Sequence, residues 1–203
     1  MKQIIEYLQQ TYAPLGIIVY GSYADGSKNE HSDFDVLVII QDGIESHDNT
    51  IVDGVMLDAY IYPKEKICGE INCEDFIQIF DGRIVLDTDG IAAALQSKVW
   101  EYIDNVRPKT CAENKTSVEW CEKMLLRAAR GDAEGYFRWH WLLTESLEVY
   151  CDLLGVRYLG PKKSIKRMQA ERPADAKVYE KALAKLDYAA LTEWIHHLKI
   201  LLK

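Results

Sequence analysis

Two aspartates, Asp33 and Asp35, stand two positions apart where the chain enters the apolar run 36–40. In an extended strand, residues two apart project from the same face, so these carboxylates lie side by side. Like charges that close repel each other unless a cation sits between them. Carboxylate oxygens are hard ligands and suit Mg²⁺, which binds one or two carboxylates together with substrate phosphates. Upstream, Gly21-Ser22 closes another apolar run, with ten residues between Ser22 and Asp33. A small-residue turn of this kind presents backbone amides to phosphate. Together the two features point to a site for Mg²⁺ and a nucleoside triphosphate.

This arrangement, Gly-Ser, ten residues, then Asp-hydrophobic-Asp-hydrophobic, resembles the signature of the nucleotidyltransferase superfamily, typified by DNA polymerase beta and the antibiotic nucleotidyltransferases. The spelling Gly21-Ser22-x-x-Asp25-Gly26 with Ser32-Asp33-x-Asp35 is most similar to the antibiotic (aminoglycoside) adenylyltransferases acting on streptomycin and spectinomycin. The likeness covers residues 15–62. In that family a neighbouring strand brings a third carboxylate, and the matching position is Asp58. The resemblance implies the roles. Asp33 and Asp35 would bridge two Mg²⁺ ions about 3.5–4 Å apart, and Asp58 would help hold the ion that activates the acceptor hydroxyl. Gly21 and Ser22 would hold the β- and γ-phosphates, which leave as pyrophosphate. ATP is the family's default co-substrate, with another NTP as the alternative. Many members carry Arg where this chain has Asp25, and Lys28 is the basic residue placed to substitute for it.

The elements that must position these groups are legible around them. Residues 2–11 read as a short amphipathic helix through Ile4, Ile5 and Leu8, stopped near Pro14. Residues 15–20 read as a strand, 22–26 as a helical turn, and 35–40 as a central strand apolar on both faces. Asp53-Gly54 between apolar runs signals a hairpin. The return strand places Val55, Leu57, Ala59 and Ile61 on one face and Asp58 on the other, beside Met56 and Tyr60. A carboxylate in such a strand is costly unless ligated or hydrogen-bonded, which marks Asp58 independently of any resemblance. Residues 41–50 read as a loop. Residues 74–81 and 90–104 read as helices around a short strand at 83–86.

From about residue 113 the pattern is helical only. Thr116-x-x-Glu119 has the form of a capping box. Helices are expected to about Gly131, over 133–154, 162–170, 174–186 and 189–202, with Pro161 and Pro173 near helix starts. The expected fold is therefore an α+β nucleotidyltransferase domain with a small mixed sheet over 1–108, then an all-α helical bundle over 109–203. The linker is expected near 105–114.

Charge divides the same way. Residues 1–105 carry 6 Lys/Arg against 19 Asp/Glu, a net −13. Residues 106–203 carry 18 against 13, a net +5, and the sum is the −8 of the whole chain. That acidity argues against sequence-independent binding of duplex nucleic acid, which depends on phosphate neutralisation. The five cysteines are odd in number and form no C-x-x-C pair, so reduced thiols in a cytoplasmic protein are expected. No run of 18 apolar residues and no basic-plus-apolar leader is present, so neither a membrane span nor a secretory signal is expected.

Weaker candidates lie in the helical half. Arg157, Lys162, Lys163, Lys166 and Arg167 put five basic residues into eleven positions. Lys162 and Lys163 at a helix start would suit a triphosphate, or the run is a solvated basic face. Glu145 and Glu148 are candidate general bases for the acceptor. Trp139, Trp141 and Phe137 fit core packing better than base stacking. His31, His140, His196 and His197 show no ligand-like spacing, and the last two read as surface residues.

Two classes of function fit. One is an Mg²⁺-dependent nucleotidyltransferase moving AMP from ATP to a hydroxyl of a small acceptor, such as an aminoglycoside-like compound. Its variant modifies a protein or RNA, as the minimal nucleotidyltransferases of toxin–antitoxin pairs do. A fused HEPN ribonuclease is excluded, because no Arg-x(4–6)-His occurs. The other class is a catalytically silent nucleotide-binding regulatory module, which the three aspartates disfavour and Asp25 favours. The resemblance also allows a homodimer, because some relatives build the site across subunits.

Overall fold

All four residues of Gly16–Val19 are buried, and within Phe34–Ile40 only Asp35 and Ile40 keep partial exposure. Strands of that kind must lie inside a sheet covered on both faces. In the computed structural model, which describes residues 1–105 and 107–202, they form the middle of a six-stranded mixed sheet. β1 (Gly16–Val19) runs antiparallel to β2 (Phe34–Ile40), and β2 runs parallel to β5 (Val55–Pro63). The edges are β3 (Ser46–Asp48), antiparallel to β5, and β6 (Arg83–Asp87), antiparallel to β1. The two-residue β4 (Ile51–Val52) also pairs with β5. Asp53 and Gly54, both at positive φ (53° and 77°), make the connecting hairpin turn, the conformation that Asp-Gly favours.

Each face of the sheet has its own helical cover. α1 (Lys2–Tyr12) lays Ile4 and Leu8 on Ile17, Val19, Val36 and Val38. It ends where Ala13 turns left-handed ahead of Pro14. The opposite face, with Ile18, Tyr20, Leu37 and Ile39, is covered by α3 (Lys64–Cys68), a 3₁₀ segment over Cys73–Ile79, and α4 (Ile91–Asp104). After Gly21, α2 (Ser22–Asp25) is a single helical turn.

Three local expectations are corrected. Residues 41–50 are not all loop, because β3 forms within them. The segment expected as an α-helix at 74–81 is 3₁₀ over Cys73–Ile79, capped by the Asn72 side chain accepting from the Glu74 N–H. The short α3 has no counterpart in the sequence pattern.

β3 has no apolar alternation, and a buried carboxylate fixes it instead. Asp48 accepts hydrogen bonds from the hydroxyls of Tyr7 (3.0 Å) and Tyr12 (2.8 Å) on α1 and from the Thr50 N–H (2.8 Å). Burial opposes ionisation of Asp48, yet the bonds from Thr50, Tyr12 and Tyr7 outweigh it and hold the carboxyl below its usual value. An Asp48→Ala protein is expected to lose about 1–3 kcal/mol of stability, because the two phenols lose their acceptor. The folded value is depressed, so this contribution is present above the unfolded carboxylate value of about 4. It is lost as pH falls through the lower folded value. Urea melts of wild type and variant at pH 7 and pH 3 check this, and the gap should close at acid pH.

Residues 1–105 and 106–203 form separate compact units. The second is helical: α5 (Cys111–Ala128), α6 (Ala133–Leu153), α7 (Pro161–Glu171), α8 (Pro173–Ala184) and α9 (Tyr188–Leu201). Its capping box is Thr110-x-x-Glu113, a correction of the expected Thr116-x-x-Glu119. Thr110 is extended and its hydroxyl oxygen accepts from the Glu113 N–H, as an N-cap requires. Thr116 lies inside the helix, donating its hydroxyl to the Ala112 carbonyl. The Thr110 N–H and hydroxyl, then Arg107, hold the Glu113 carboxyl down at about 2. Pro161 and Pro173 each occupy the first turn of a helix.

Trp194 is fully buried at the centre of this unit, among Leu142, Leu147, Tyr150 and Tyr179. Its indole N–H donates to Ser146 Oγ at 2.9 Å. Trp139 is buried as expected, but Phe137 and Trp141 are 68% and 39% exposed and pack on each other. His197 is not a surface residue: it is half-buried, stacked on Trp194, with Nε2 3.0 Å from Asp175 Oδ1. Cys121 and Cys151 are buried, burial pushes the Cys121 thiol up to about 12, and no disulfide occurs among the described residues. No helix among the described residues is long and apolar enough to cross a membrane.

Candidate active site

Asp35 and Asp58 are direct register partners across the parallel pair β2 and β5. Adjacent strands lie about 4.8 Å apart and partners share a face, so these two carboxylates occupy neighbouring positions on one face of the sheet. Both are half-buried. The face is the one covered by α3, α4 and the 3₁₀ segment, because Leu37 and Ile39 follow Asp35 at strand spacing and pack into that layer. Asp33 sits one residue before β2 begins and is exposed.

β1 delivers the turn to the same place. Its antiparallel register sets Val19 opposite Val36, and the next N–H, that of Tyr20, donates to the Asp35 carbonyl at 3.1 Å. Gly21 follows at φ 63°, ψ −147°, a region essentially restricted to glycine. A Cβ added there would strike the Asp35 carboxylate, meeting Oδ2 and lying 2.8 Å from Cγ. Glycine is thus demanded twice, by the backbone and by the carboxylate pressed against it. Ser22 opens α2, whose first N–H groups have no partner within the helix.

Asp25, standing where many relatives of the motif have Arg, accepts from the Ser27 N–H (2.9 Å) and hydroxyl (2.6 Å). Lys28, its expected substitute, holds its ammonium 4.7 Å from the ring centre of Tyr23. Lys162 and Lys163 stand in the first turn of α7, and Glu145 and Glu148 are exposed on α6, all in the helical unit.

Several residues at the site escaped the motif. An open pocket of about 480 Å³ is lined by Tyr20, Asp58, Tyr60, Tyr62, Asp75 and Gln78. Tyr60 and Tyr62 follow Asp58 at strand spacing, so their shared face was readable. Asp75 and Gln78 come from the 3₁₀ segment, which nothing local ties to β5. Burial first, then the charges of Asp58 and Asp35, raise the Tyr20 phenol far above its usual value, so it stays a neutral donor beside the carboxylates. His47 on β3 places Nε2 2.6 Å from Asp58 Oδ1.

Among the described residues no group of three or more His, Cys, Asp or Glu is gathered as a metal centre. The donor set nonetheless fits a hard cation: two register-paired carboxylates, with a third acid just before the strand and a glycine cradle that no side chain can fill.

Residues 2–67 match the family described as Polymerase beta, Nucleotidyltransferase. The match covers about a third of the chain, all of it within the α+β unit. The matched span holds all of Gly21, Ser22, Asp33, Asp35 and Asp58 and ends within α3. Among solved structures, the chain is similar to a nucleotidyltransferase-like protein from Exiguobacterium sibiricum 255-15, with 14% identity and a TM-score of 0.46. That alignment covers 99% of this chain and 72% of the other. No curated protein matches the chain. The segment that matches the family therefore lies in the α+β unit, with the register-paired aspartates inside it.

Proposed function

We propose that the protein transfers a nucleoside monophosphate, AMP from ATP by family default, to a hydroxyl of a small acceptor and releases pyrophosphate. The register pairing of Asp35 with Asp58, with Gly21 pressed on Asp35, is the observation that supports this reading. Asp33, Asp35 and Asp58 are the residues that would hold Mg²⁺, two ions by the family's habit. The cation supplies charge neutralisation at the phosphate oxygens. Gly21 and Ser22 would offer backbone N–H groups to the β- and γ-phosphates. Asp58 lines the tyrosine-walled pocket, which suits it to orient the acceptor hydroxyl. An aminoglycoside-like acceptor follows from the motif spelling alone. The engagement of Asp25 in its own turn favours the second reading, a silent nucleotide-binding module.

Calorimetric titration with a non-hydrolysable ATP analogue, with and without Mg²⁺, tests the proposal. Binding is expected to require Mg²⁺. In Asp35→Asn it is expected to fall by more than the roughly 10–100-fold that loss of a ligand's outer partner costs. Metal-independent binding of equal strength in both proteins would sink the transferase mechanism and leave the silent module.

A further inference from the structure

The third aspartate has a partner that the motif does not contain. His47 and Tyr60 are opposite one another across the antiparallel pair β3 and β5. Asp58, two residues before Tyr60, is therefore the diagonal neighbour of His47 on the same face, a spacing that long side chains bridge. The bridge is made: His47 Nε2 lies 2.6 Å from Asp58 Oδ1, and the imidazole packs on the Tyr60 ring with centroids 4.7 Å apart. Both side chains are about two-fifths exposed, 42% for His47 and 37% for Asp58. A carboxylate that open would otherwise sample several rotamers.

We infer that His47 is a positioning residue for Asp58, fixing its rotamer and committing Oδ1 so that the carboxylate offers one remaining oxygen to a divalent cation. The inference rests on the reading of Asp58 as a cation ligand. An ionised carboxylate only accepts hydrogen bonds, so the bond requires a proton on Nε2 of His47. Carboxylates that ligate metals are held by such outer partners, and loss of the partner weakens binding about 10–100-fold. Tyr60 keeps the ring plane in place and Asp58 faces the pocket, so an edge strand of three polar residues is recruited to the site.

The test uses Mn²⁺ alone, its free concentration read by electron paramagnetic resonance, with thermal melts confirming that each variant is folded. His47→Ala is expected to weaken Mn²⁺ binding about 10–100-fold. His47→Gln, whose amide nitrogen reaches the place of Nε2, is expected to restore it to within a few-fold. In an Asp58→Asn background, His47→Ala is expected to add nothing, the coupling that a double-mutant cycle detects. Asp58-dependent binding left unchanged by His47→Ala, or additive losses in the cycle, overturns the inference alone. Equal Mn²⁺ affinity in wild type and Asp58→Asn overturns the reading of Asp58 as a ligand and the inference with it. A ¹H–¹⁵N spectrum of wild-type imidazoles gives a check free of any variant: a His47 ring protonated only at Nδ1 overturns the bond.

Discussion

A Gly21→Ala protein is expected to melt on the order of 10 °C below wild type and to lose Mg²⁺-dependent nucleotide binding. Two separate costs add. The φ of 63° with ψ of −147° belongs to a region nearly closed to residues with a Cβ, and holding alanine there costs about 1–3 kcal/mol. The new methyl also strikes the Asp35 carboxylate, and overpacking of this kind costs typically about 1–3 kcal/mol. For a unit of this size each kcal/mol is worth about 4–8 °C. Strain can be relieved only by moving the turn or by turning Asp35 away, and either displaces the groups proposed to hold nucleotide and cation. Gly26→Ala is the control. Its φ is also positive, at 77°, but nothing lies within 4 Å of its added Cβ. It should lose only the left-handed penalty of about 1–2 kcal/mol and keep its nucleotide binding. Melts and calorimetry on both variants decide the matter. Normal nucleotide binding by Gly21→Ala would separate the glycine from the site.

The second large effect lies in the helical unit. Asp175→Ala is expected to destabilise that unit by about 1–3 kcal/mol, the usual cost of removing a buried hydrogen-bond acceptor; its Arg172 partner is 43% exposed and can turn to water. Asp175 is buried at the N-terminal turn of α8. It accepts from the Tyr150 hydroxyl at 2.9 Å and from Arg172 Nε, with His197 Nε2 3.0 Å away. Removing it takes the acceptor from the Tyr150 phenol and the neighbouring carboxylate from the His197 imidazole, both of which pack on Trp194. Burial opposes ionisation of Asp175, but Arg172 and Tyr150, then the charge of His197, outweigh it and hold the carboxyl below its usual value. Its stabilising contribution is therefore present above about pH 4 and lost as pH falls through the lower folded value. Because the group is buried, the contribution should also resist salt, unlike that of a surface pair. Denaturant melts of wild type and Asp175→Ala across pH 2.5 to 7 are the measurement. A gap under about 1 kcal/mol at pH 7, the size of an exposed pair, would mean the cluster is structurally idle.

These two sites differ in how far the chain itself announces them. Gly21, Ser22, Asp33, Asp35 and Asp58 are readable because their constraint is local: a turn that only glycine enters, acids at strand spacing, and a carboxylate interrupting an apolar strand. The Asp53-Gly54 hairpin and the helix starts at Pro161 and Pro173 are readable for the same reason, since one or two residues carry the backbone preference. Thr110 and Thr116 show where local reading stops. Both spell T-x-x-E, and only the position of the helix end decides which hydroxyl caps and which turns back on a carbonyl. Asp48, Asp175 and His47 are further still from view. Asp48 is bound by Tyr7 and Tyr12, 41 and 36 residues away, and Asp175 by Tyr150 at a separation of 25. His47 meets Asp58 only because β3, a strand with no apolar pattern of its own, pairs with β5 in one register. The sequence by itself determined the glycine turn and the spacing of the three aspartates, the mixed sheet and the helical second half, through spacing and local backbone preference. The tertiary structure alone decided which buried carboxylates are structural, which histidine holds Asp58, and which tyrosines wall the pocket, because those depend on the register between segments far apart in the chain.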